Sequence, residues 1–167
     1  MSIDKTGATI AEDFIYTRAR IEHIPQICEI ERQCFSEPWP AKSFKKEFTD
    51  GLASYFVAKR LSPSGKETGI IAGFCGYWSV AGEAHITNVA VHPRYRERGV
   101  GAGLIDAMID DIYVRGHSAA TLEVREDNAV AIRLYERFGF ERAGIRKKYY
   151  DKGKKDALIM WNYFRAK

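Results

Sequence analysis

One segment of the chain, from Asn88 to Ile105, constrains the fold more than any other. Its β-branched start is typical of a strand that ends before Pro93, and positions 96–103 then read Arg-Glu-Arg-Gly-Val-Gly-Ala-Gly. Beyond the glycines, apolar residues recur at helical spacing, at Leu104, Ile105, Met108, Ile109 and Ile112. A strand, a glycine loop and a helix in this order leave first-turn N–H groups free beside a backbone that a ligand can approach closely. The segment therefore predicts an anion site, most naturally for a phosphate or pyrophosphate.

The spacing of the glycines narrows the kind of anion site. Gly99, Gly101 and Gly103 do not form the Gly-x-Gly-x-x-Gly pattern of dinucleotide-binding folds, and no Gly-Lys-Ser or Gly-Lys-Thr follows them. The sequence thus argues against both the dinucleotide fingerprint and the P-loop. Glycines at these positions could also serve a tight turn without any ligand, and this alternative stays open at this point.

Hydrophobic periodicity predicts the other elements. The expected strands are 14–20, 52–59, 70–80, 85–91, 119–124, 141–149 and 157–164, and the expected helices are 21–35, 41–49, 99–116 and 128–138. Pro25 suits the first turn of its helix, and Asn128 is a good N-cap. The order β-α-α-β-β-β-α-β-α-β-β defines a mixed α/β domain. Its hairpin-rich first half argues against a doubly wound parallel sheet.

Length and charge limit the domain organisation and the class of partner. With 167 residues, 46% of them hydrophobic, the chain has material for one sizeable core. Residues 1–13 are polar and patternless and are expected to form a flexible tail, followed by a single domain over 14–167. The net charge of +4, from 26 basic and 22 acidic residues, is mild. It argues against direct nucleic-acid binding and fits a compact anionic ligand better.

The cysteine content argues against a metal site and a disulfide framework. Cys28, Cys34 and Cys75 are odd in number and form no Cys-x-x-Cys pair, so we expect buried, reduced thiols. The histidines are scattered without the spacing of metal ligands. No metal is therefore expected.

The N-terminus and the apolar stretches bear on localisation. Asp4, Glu12 and Asp13 leave no room for the apolar core of a signal peptide. The uncharged stretch Gly69–Gly82 is too short to span a bilayer. We therefore expect a cytoplasmic protein without a membrane partner.

Arg-x-x-Gly-x-Gly at 96–101 resembles the pyrophosphate loop of the GNAT superfamily of N-acetyltransferases, which bind acetyl-coenzyme A. Leu-Glu-Val-Arg-x-x-Asn at 122–128 and Ala-Ile-x-Leu-Tyr-x-x-x-Gly-Phe at 131–140 look like the second half of that family. The resemblance extends from about Tyr16 to Phe164. It implies a mixed, mostly antiparallel central sheet flanked by helices, with acetyl-coenzyme A as cosubstrate.

Three further motifs resemble the ribosomal-protein-alanine N-acetyltransferase branch of the superfamily. They are Phe-x-x-Pro-Trp-x-x-x-x-Phe at 35–44, Arg-Lys-Lys-Tyr-Tyr at 146–150 and Asp-Ala-Leu-Ile-Met at 156–160. This resemblance implies that the acceptor is the α-amino group of a protein N-terminus, such as an N-terminal alanine of a ribosomal protein. Lys155 departs from the branch, which commonly has an acidic residue there, and the details of the acceptor are open for that reason.

The resemblance implies a set of residues that bind the cosubstrate. They are Val89, Ala90, Val91, Arg96, Glu97, Arg98, Gly99, Val100, Gly101, Ala102 and Asn128. The first three residues offer strand backbone to the peptide-like pantetheine arm, and one of their N–H groups could stabilise the oxyanion. The residues from Arg96 to Ala102 form the pyrophosphate loop. Asn128 contacts the pantetheine arm, a role that is compatible with helix capping.

The family's proton acceptor and proton donor match Glu123 and Tyr135. An α-amino group has a pKa near 8, so a mild base is sufficient, and a phenol with a pKa near 10 can protonate a thiolate. The alternatives are a salt bridge between Glu123 and Arg125, and a purely structural aromatic at Tyr135. Glu83 and His85 are the second choice of base.

Trp39, Tyr149 and Tyr150 could line the groove for the acceptor peptide or pack in the core. The sequence therefore predicts an Nα-acetyltransferase with a protein N-terminus as its partner. Two alternatives stay open: a lysine or small-amine acetyltransferase, and a non-catalytic module that binds acetyl-coenzyme A. The presence of Glu123, Asn128 and Tyr135 together disfavours the second alternative.

Overall fold

The computed structural model describes residues 2–3, 9–11 and 13–164. These residues fold around one twisted sheet. Within these residues the strands are β1 (Ser2–Ile3), β2 (Thr9–Ala11), β3 (Phe14–Arg18), β4 (Ala53–Leu61), β5 (Glu67–Val80), β6 (Glu83–Val91), β7 (Ala119–Arg125), β8 (Glu141–Tyr150) and β9 (Lys155–Tyr163). Their spatial order is β1-β2-β3-β4-β5-β6-β7-β9-β8. Among the described strands only β6 and β7 pair in parallel; the other pairs of neighbouring strands are antiparallel.

In the part of the chain that the structure describes, four α-helices cover the two faces of the sheet: α1 (Ile24–Cys34), α2 (Ala41–Asp50), α3 (Val100–Val114) and α4 (Ala129–Arg137). Pro25 lies in the first turn of α1, where its missing N–H group has no intrahelical acceptor in any case. Gly51 adopts the left-handed conformation that ends α2. Asn128 caps α4 by accepting a hydrogen bond from the backbone N–H of Ala131 at 3.2 Å.

The predicted fold class is confirmed, and the order of elements from β3 onward is the predicted one. Two differences concern the N-terminal half. A short 3-10 turn over Ile21–His23 precedes α1, so the α-helix begins three residues later than expected. Two short strands, β1 and β2, lie within the range expected to be a flexible tail and extend the sheet beyond β3. The rest of that range, at 1, 4–8 and 12, lies outside the described residues, and the division at residue 13 stays a prediction.

The two faces of the sheet carry separate apolar clusters. Helices α3 and α4 cover the larger one, which includes Leu104, Ile105 and Met108, while α1 and α2 cover the other, which includes Ile27 and Phe44. Gly103 lets α3 approach the sheet closely, because a Cβ atom there would lie 2.1 Å from the ring of Tyr16. This glycine therefore has a packing role within the loop that the sequence assigned to a ligand.

A β-bulge in β6 changes which face of the sheet its side chains occupy. Gly76 of β5 pairs with Asn88 and Tyr77 pairs with Ile86, so Thr87 is the extra residue. Before the bulge, Ile86 packs in the cluster under α3; after it, Ala90 packs in the cluster under α1. Because a one-residue slip exchanges the faces of a strand, the bulge directs Asn88 toward α1.

Strands β6 and β7 separate at the same place. Their parallel pairing runs from Glu83 and Ala119 to Ile86 and Leu122 and then stops. Both strands continue beyond that point, to Val91 and Arg125. Their facing edges diverge there and leave an opening in the middle of the sheet.

No helix within the described ranges has the length and apolar character needed to cross a membrane.

Candidate active site

The opening between β6 and β7 leads into a cavity of about 870 Å³. Its walls come from both diverging strands, from the N-terminal end of α4, from the segment between α1 and α2, and from β8 with the turn that follows it. The lining residues are Glu31, Cys34, Phe35, Ser36, Glu37, Trp39, Trp78, His85, Ile86, Thr87, Asn88, Val89, Leu122, Glu123, Val124, Arg125, Asp127, Asn128, Ala131, Tyr135, Arg146, Tyr149, Tyr150 and Asp151.

Glu123 lies in β7 just past the last residue that pairs with β6. Its side chain is half-buried, and its Oε1 accepts a hydrogen bond from the Arg146 guanidinium at 3.1 Å. The alternative pairing with Arg125 is not the one found, because Arg125 instead contacts Asp127 at 2.9 Å and Asp151 at 3.4 Å. The Glu123 carboxylate therefore stands at the cavity wall with a cation from β8, the strand beyond β9.

Tyr135 reaches the cavity from α4. The residue is 8% exposed, and its ring packs edge-on against Phe140 with 5.8 Å between the centroids. Burial raises the pKa of Tyr135 well above its ordinary value, with smaller contributions from Cys75 and Tyr150. The phenol thus remains protonated over the physiological range. This side chain therefore both packs in the core and lines the cavity.

The aromatic residues expected at the acceptor groove all line the cavity. Trp39 stacks on Trp78 with 6.1 Å between the ring centroids. On the opposite wall, Tyr149 and Tyr150 pack edge to face at 4.9 Å. The Tyr150 hydroxyl donates a hydrogen bond to the backbone carbonyl of Glu123 at 2.9 Å, which ties this wall to β7.

One hydrogen bond joins the two walls of the cavity. The Ser36 hydroxyl donates to Asp151 Oδ1 at 3.0 Å, linking the segment after α1 to the turn after β8. In that turn Asp151 and Lys152 both have positive φ, at 51° and 55°, which is uncommon for residues other than glycine. The turn therefore holds a specific backbone shape beside the cavity.

The glycine loop lies outside the cavity lining, at the start of α3. Gly99 is the N-cap, with a φ of 76°, and its carbonyl accepts from the N–H of Gly103 at 3.0 Å. The N–H groups of 100–102 therefore have no carbonyl one turn earlier in the helix. A Cβ atom at Gly101 would lie 3.4 Å from Leu134, an ordinary contact, so packing does not require glycine there.

The arginines of the loop have different partners. Arg96 donates from Nε to the carbonyl of Val91 at 3.3 Å and so anchors the loop to the end of β6. Arg98 forms an ion pair with Asp13 at 2.6 Å and lies over the ring of Phe14. Between them, Glu97 has a φ of 61°. Helix α3 thus presents its N-terminus in a loop that these contacts hold in place.

Two buried polar residues of the cavity, Glu31 and Asn88, are not expected from the sequence. Glu31 is 1% exposed, and Asn88 is 5% exposed. A helical pattern could have found Glu31, because it follows Ile24, Ile27 and Cys28 at the i+7, i+4 and i+3 spacing of the apolar face of α1. A carboxylate on that face signals a special environment. Asn88 had no such signal, since the bulge that directs it is not visible in the alternation of β6.

The two second-choice bases, Glu83 and His85, differ in their position relative to the cavity. His85 lines the cavity, and its Nε2 lies 3.7 Å from Glu83 Oε2. Glu83 pairs with Ala119 at the far end of the parallel segment and is not part of the lining. His85 therefore remains an alternative to Glu123 by position.

Within the part of the chain that the structure describes, no group of three His, Cys, Asp or Glu residues is arranged to hold a metal ion.

Comparison with known proteins identifies the family. The model of the acetyltransferase (GNAT) family matches residues 24–140. The chain belongs to the GNAT acetyltransferase family. It is therefore an acetyl-coenzyme A-dependent N-acetyltransferase, and the resemblance on which the sequence analysis relied is confirmed.

Two curated relatives and one solved structure are notably similar to this acetyltransferase. A Bacillus subtilis protein, provisionally named ribosomal protein bS18-alanine N-acetyltransferase, is 38% identical over 143 residues, which is 85% of this chain and 90% of the relative. The Escherichia coli K12 enzyme of that name is 36% identical over 139 residues, covering 82% and 88%. The crystal structure of the ribosomal-protein-S18-alanine N-acetyltransferase from Escherichia coli has a TM-score of 0.79 at 32% identity and covers 91% of this chain and 94% of the other.

The free N–H groups at the start of α3 lead to a first prediction. Gly101→Asp places a carboxylate beside them, where it repels a bound pyrophosphate, and the nearest side-chain atom leaves room for the new Cβ. We expect calorimetric titration to show that acetyl-coenzyme A affinity falls by more than about tenfold, which is about 1.4 kcal/mol. Gly101→Ala is the matched control and should retain most of the affinity. A folded Gly101→Asp variant with unchanged affinity would contradict the assignment of the loop.

Proposed function

We propose that this acetyltransferase acts on the α-amino group of a protein N-terminus, and specifically on an N-terminal alanine of a ribosomal protein. One observation carries the proposal: Glu123 and Tyr135 line one cavity together with the aromatic walls at Trp39 and Tyr150. The substrate named for the curated relatives agrees with it. The walls suit a peptide, and the two titratable groups suit proton transfer to and from its reacting end.

The bridge between the cavity walls favours a chain terminus over an internal lysine. Ser36 and Asp151 close one side of the opening with their hydrogen bond. A chain end can enter such a passage end-on, whereas a lysine within a polypeptide needs room for the chain on both sides. A small polyamine would also fit, and the acceptor experiment below separates the two.

The acidic character of the cavity supports an amine acceptor. The lining includes five carboxylates, from Glu31, Glu37, Glu123, Asp127 and Asp151, against the guanidinium groups of Arg125 and Arg146. Three of the five carboxylates are engaged by these two arginines. The remaining negative charge attracts a protonated amine from solution.

The residues present fit acetyl-coenzyme A, the cosubstrate of the family. Backbone N–H groups at 100–102 would hold the pyrophosphate, in an N-terminal turn without acidic side chains. The unpaired edge of β6 over Val89, Ala90 and Val91 would bind the pantetheine arm as a neighbouring strand does, and Asn128 borders the same opening. The thioester, when bound, supplies an activated acetyl group and a thiolate leaving group.

Glu123 and Tyr135 then divide the proton transfers. Glu123 removes the proton from the acceptor's ammonium group, so that the neutral amine can attack the acetyl carbonyl. A backbone N–H of β6 donates to the carbonyl oxygen as that atom gains negative charge. As the carbon–sulfur bond breaks, Tyr135, which burial keeps protonated, donates its proton to the departing sulfur, and the phenolate regains a proton from the nitrogen that now carries the acetyl group. Burial disfavours a free thiolate as well as a free phenolate, so protonation of the sulfur avoids leaving an uncompensated thiolate in the cavity.

An acceptor panel tests the proposed function. The enzyme is incubated with acetyl-coenzyme A and peptides beginning with Ala, Ser or Met, the same peptides with a blocked N-terminus and an internal lysine, and spermidine. We expect mass spectrometry to find the acetyl group on the α-nitrogen, with the alanine peptide as the best acceptor. Acetylation of the blocked peptides or of spermidine at higher kcat/KM would overturn the proposal.

Glu123→Gln tests the base. We expect kcat to fall by about 10²–10⁴-fold while acetyl-coenzyme A binding is unchanged. The loss should be largest at low pH and smaller above about pH 8, where the free α-amine becomes the main form in solution. Glu126→Gln, an exposed neighbour outside the cavity, is the control. If Glu123→Gln retains wild-type activity and a His85 variant does not, the base is His85.

Tyr135→Phe tests the acid, because it removes one hydroxyl and keeps the packing against Phe140. We expect the turnover number to fall by about 10²-fold while acetyl-coenzyme A affinity stays within a few-fold. A donor with a more acidic thiol should rescue this variant more than the wild type. Tyr16→Phe is the matched control, since the buried Tyr16 hydroxyl has no hydrogen-bond partner in the described residues. Near-wild-type turnover without dependence on the leaving group would leave Tyr135 as a core residue.

A further inference from the structure

We infer that Glu31 is a positioning residue, which holds the acceptor wall of the cavity in place through two hydrogen bonds. This inference rests on the proposed function, in which the acceptor peptide contacts the wall formed by Trp39. Glu31 is not part of the proton transfer proposed above. Its role is to join three separate segments of the chain at the acceptor end of the cavity.

The contacts of Glu31 define this connection. Its Oε1 accepts from the backbone N–H of Trp39 at 3.1 Å, and its Oε2 accepts from the Nδ2 of Asn88 at 3.3 Å. One carboxylate in α1 thereby fixes both the segment between α1 and α2 and the first residue after the β6 bulge. Hydrogen bonds from neutral donors to a carboxylate are stronger and better directed than those between neutral groups.

The environment of Glu31 is unusual for a residue with only a packing role. It is almost fully buried, yet no lysine, arginine or histidine of the described residues forms an ion pair with it. Burial raises the pKa of Glu31, and the hydrogen bonds from Trp39 and Asn88 oppose that rise. Burying a charge is costly unless it is well hydrogen-bonded. A hydrophobic residue would fill the space at lower cost, which indicates that the two hydrogen bonds themselves have a use.

Asn88 depends on Glu31 for its orientation. Its Oδ1 is buried and has no hydrogen-bond partner in the described part of the chain. The carboxylate can only accept, so it selects the amide rotamer that presents Nδ2 to α1. Asn88 and Val89 are adjacent on the unpaired edge of β6, where the thioester is proposed to bind. Glu31 thus sets the distance between the wall that contacts the acceptor and the strand that contacts the cosubstrate.

Reciprocal substitution tests the inference. In Glu31→Gln the carboxamide can accept from only one of the two donors and turns its own N–H₂ toward the other. In Asn88→Asp two carboxylates face each other. In the double variant E31Q/N88D, the carboxamide at position 31 donates to the carboxylate at position 88 and still accepts from Trp39, so both hydrogen bonds return. Glu29→Gln, on the exposed face of the same helix, is the matched control.

The expected result is a change confined to the acceptor. In Glu31→Gln we expect the KM for the alanine peptide to rise by about tenfold, with the KM for acetyl-coenzyme A within twofold of the wild type. The double variant should recover to within about threefold. The inference is overturned if both KM values rise together, if E31Q/N88D is no better than Glu31→Gln, or if the KM changes follow thermal stability across the four variants.

A measurement without turnover separates this inference from the proposed function. Hydrogen exchange of peptides covering 35–40 should be faster in Glu31→Gln than in the wild type and should return toward wild-type rates in the double variant. Unchanged exchange in Glu31→Gln would contradict the positioning role even if activity falls. If the wild type does not acetylate the peptides, the proposed acceptor is wrong, while the exchange comparison still tests whether Glu31 holds the wall.

Discussion

The functional site depends on the point where two strands stop pairing. Past Ile86 and Leu122, β6 and β7 are neighbours without hydrogen bonds between them, although each remains paired on its other side. Unpaired backbone groups inside a sheet are costly unless something else satisfies them. The opening therefore has the chemical character of a site for a peptide-like ligand, and the cavity walls, with Glu123 and Tyr135 among their residues, are arranged around it.

The bulge at Thr87 gives this opening two different sides. Without the extra residue, Asn88 would occupy the same face of β6 as Ile86, under α3. With it, Asn88 faces α1 and meets Glu31, while Val89 packs against the cluster covered by α3. The inserted residue thus lets the edge of β6 contact Glu31, which also binds the cavity wall at Trp39. A small irregularity in register decides which helix can influence the site.

The sequence predicts those helices and strands whose apolar residues recur at a regular spacing. The apolar spacing of α3 and the alternation of the later strands place the elements correctly, and the family resemblance brings Glu123, Asn128 and Tyr135 to one cavity. The bulge could not be predicted, because Thr87 suits regular strand as well as it suits a bulge. The pairing of Glu123 with Arg146 could not be predicted either. The two residues are 23 positions apart in the sequence, and the register of β9 between their strands brings them together.

The distribution of charge along the cavity supports the proposal of a base within it. The N-terminal end of α3 attracts an anion, whereas the cavity at the other end carries more carboxylates than cations. In the proposed function this polarity would orient the two substrates, with the anionic coenzyme at the loop and the amine at the other end of the cavity. The same carboxylates would favour the ammonium form of the proposed acceptor and so raise its pKa above the value in water. The attraction that would bring the acceptor to the cavity therefore makes the spontaneous loss of its proton harder, which is why we propose a base, Glu123, at the cavity wall.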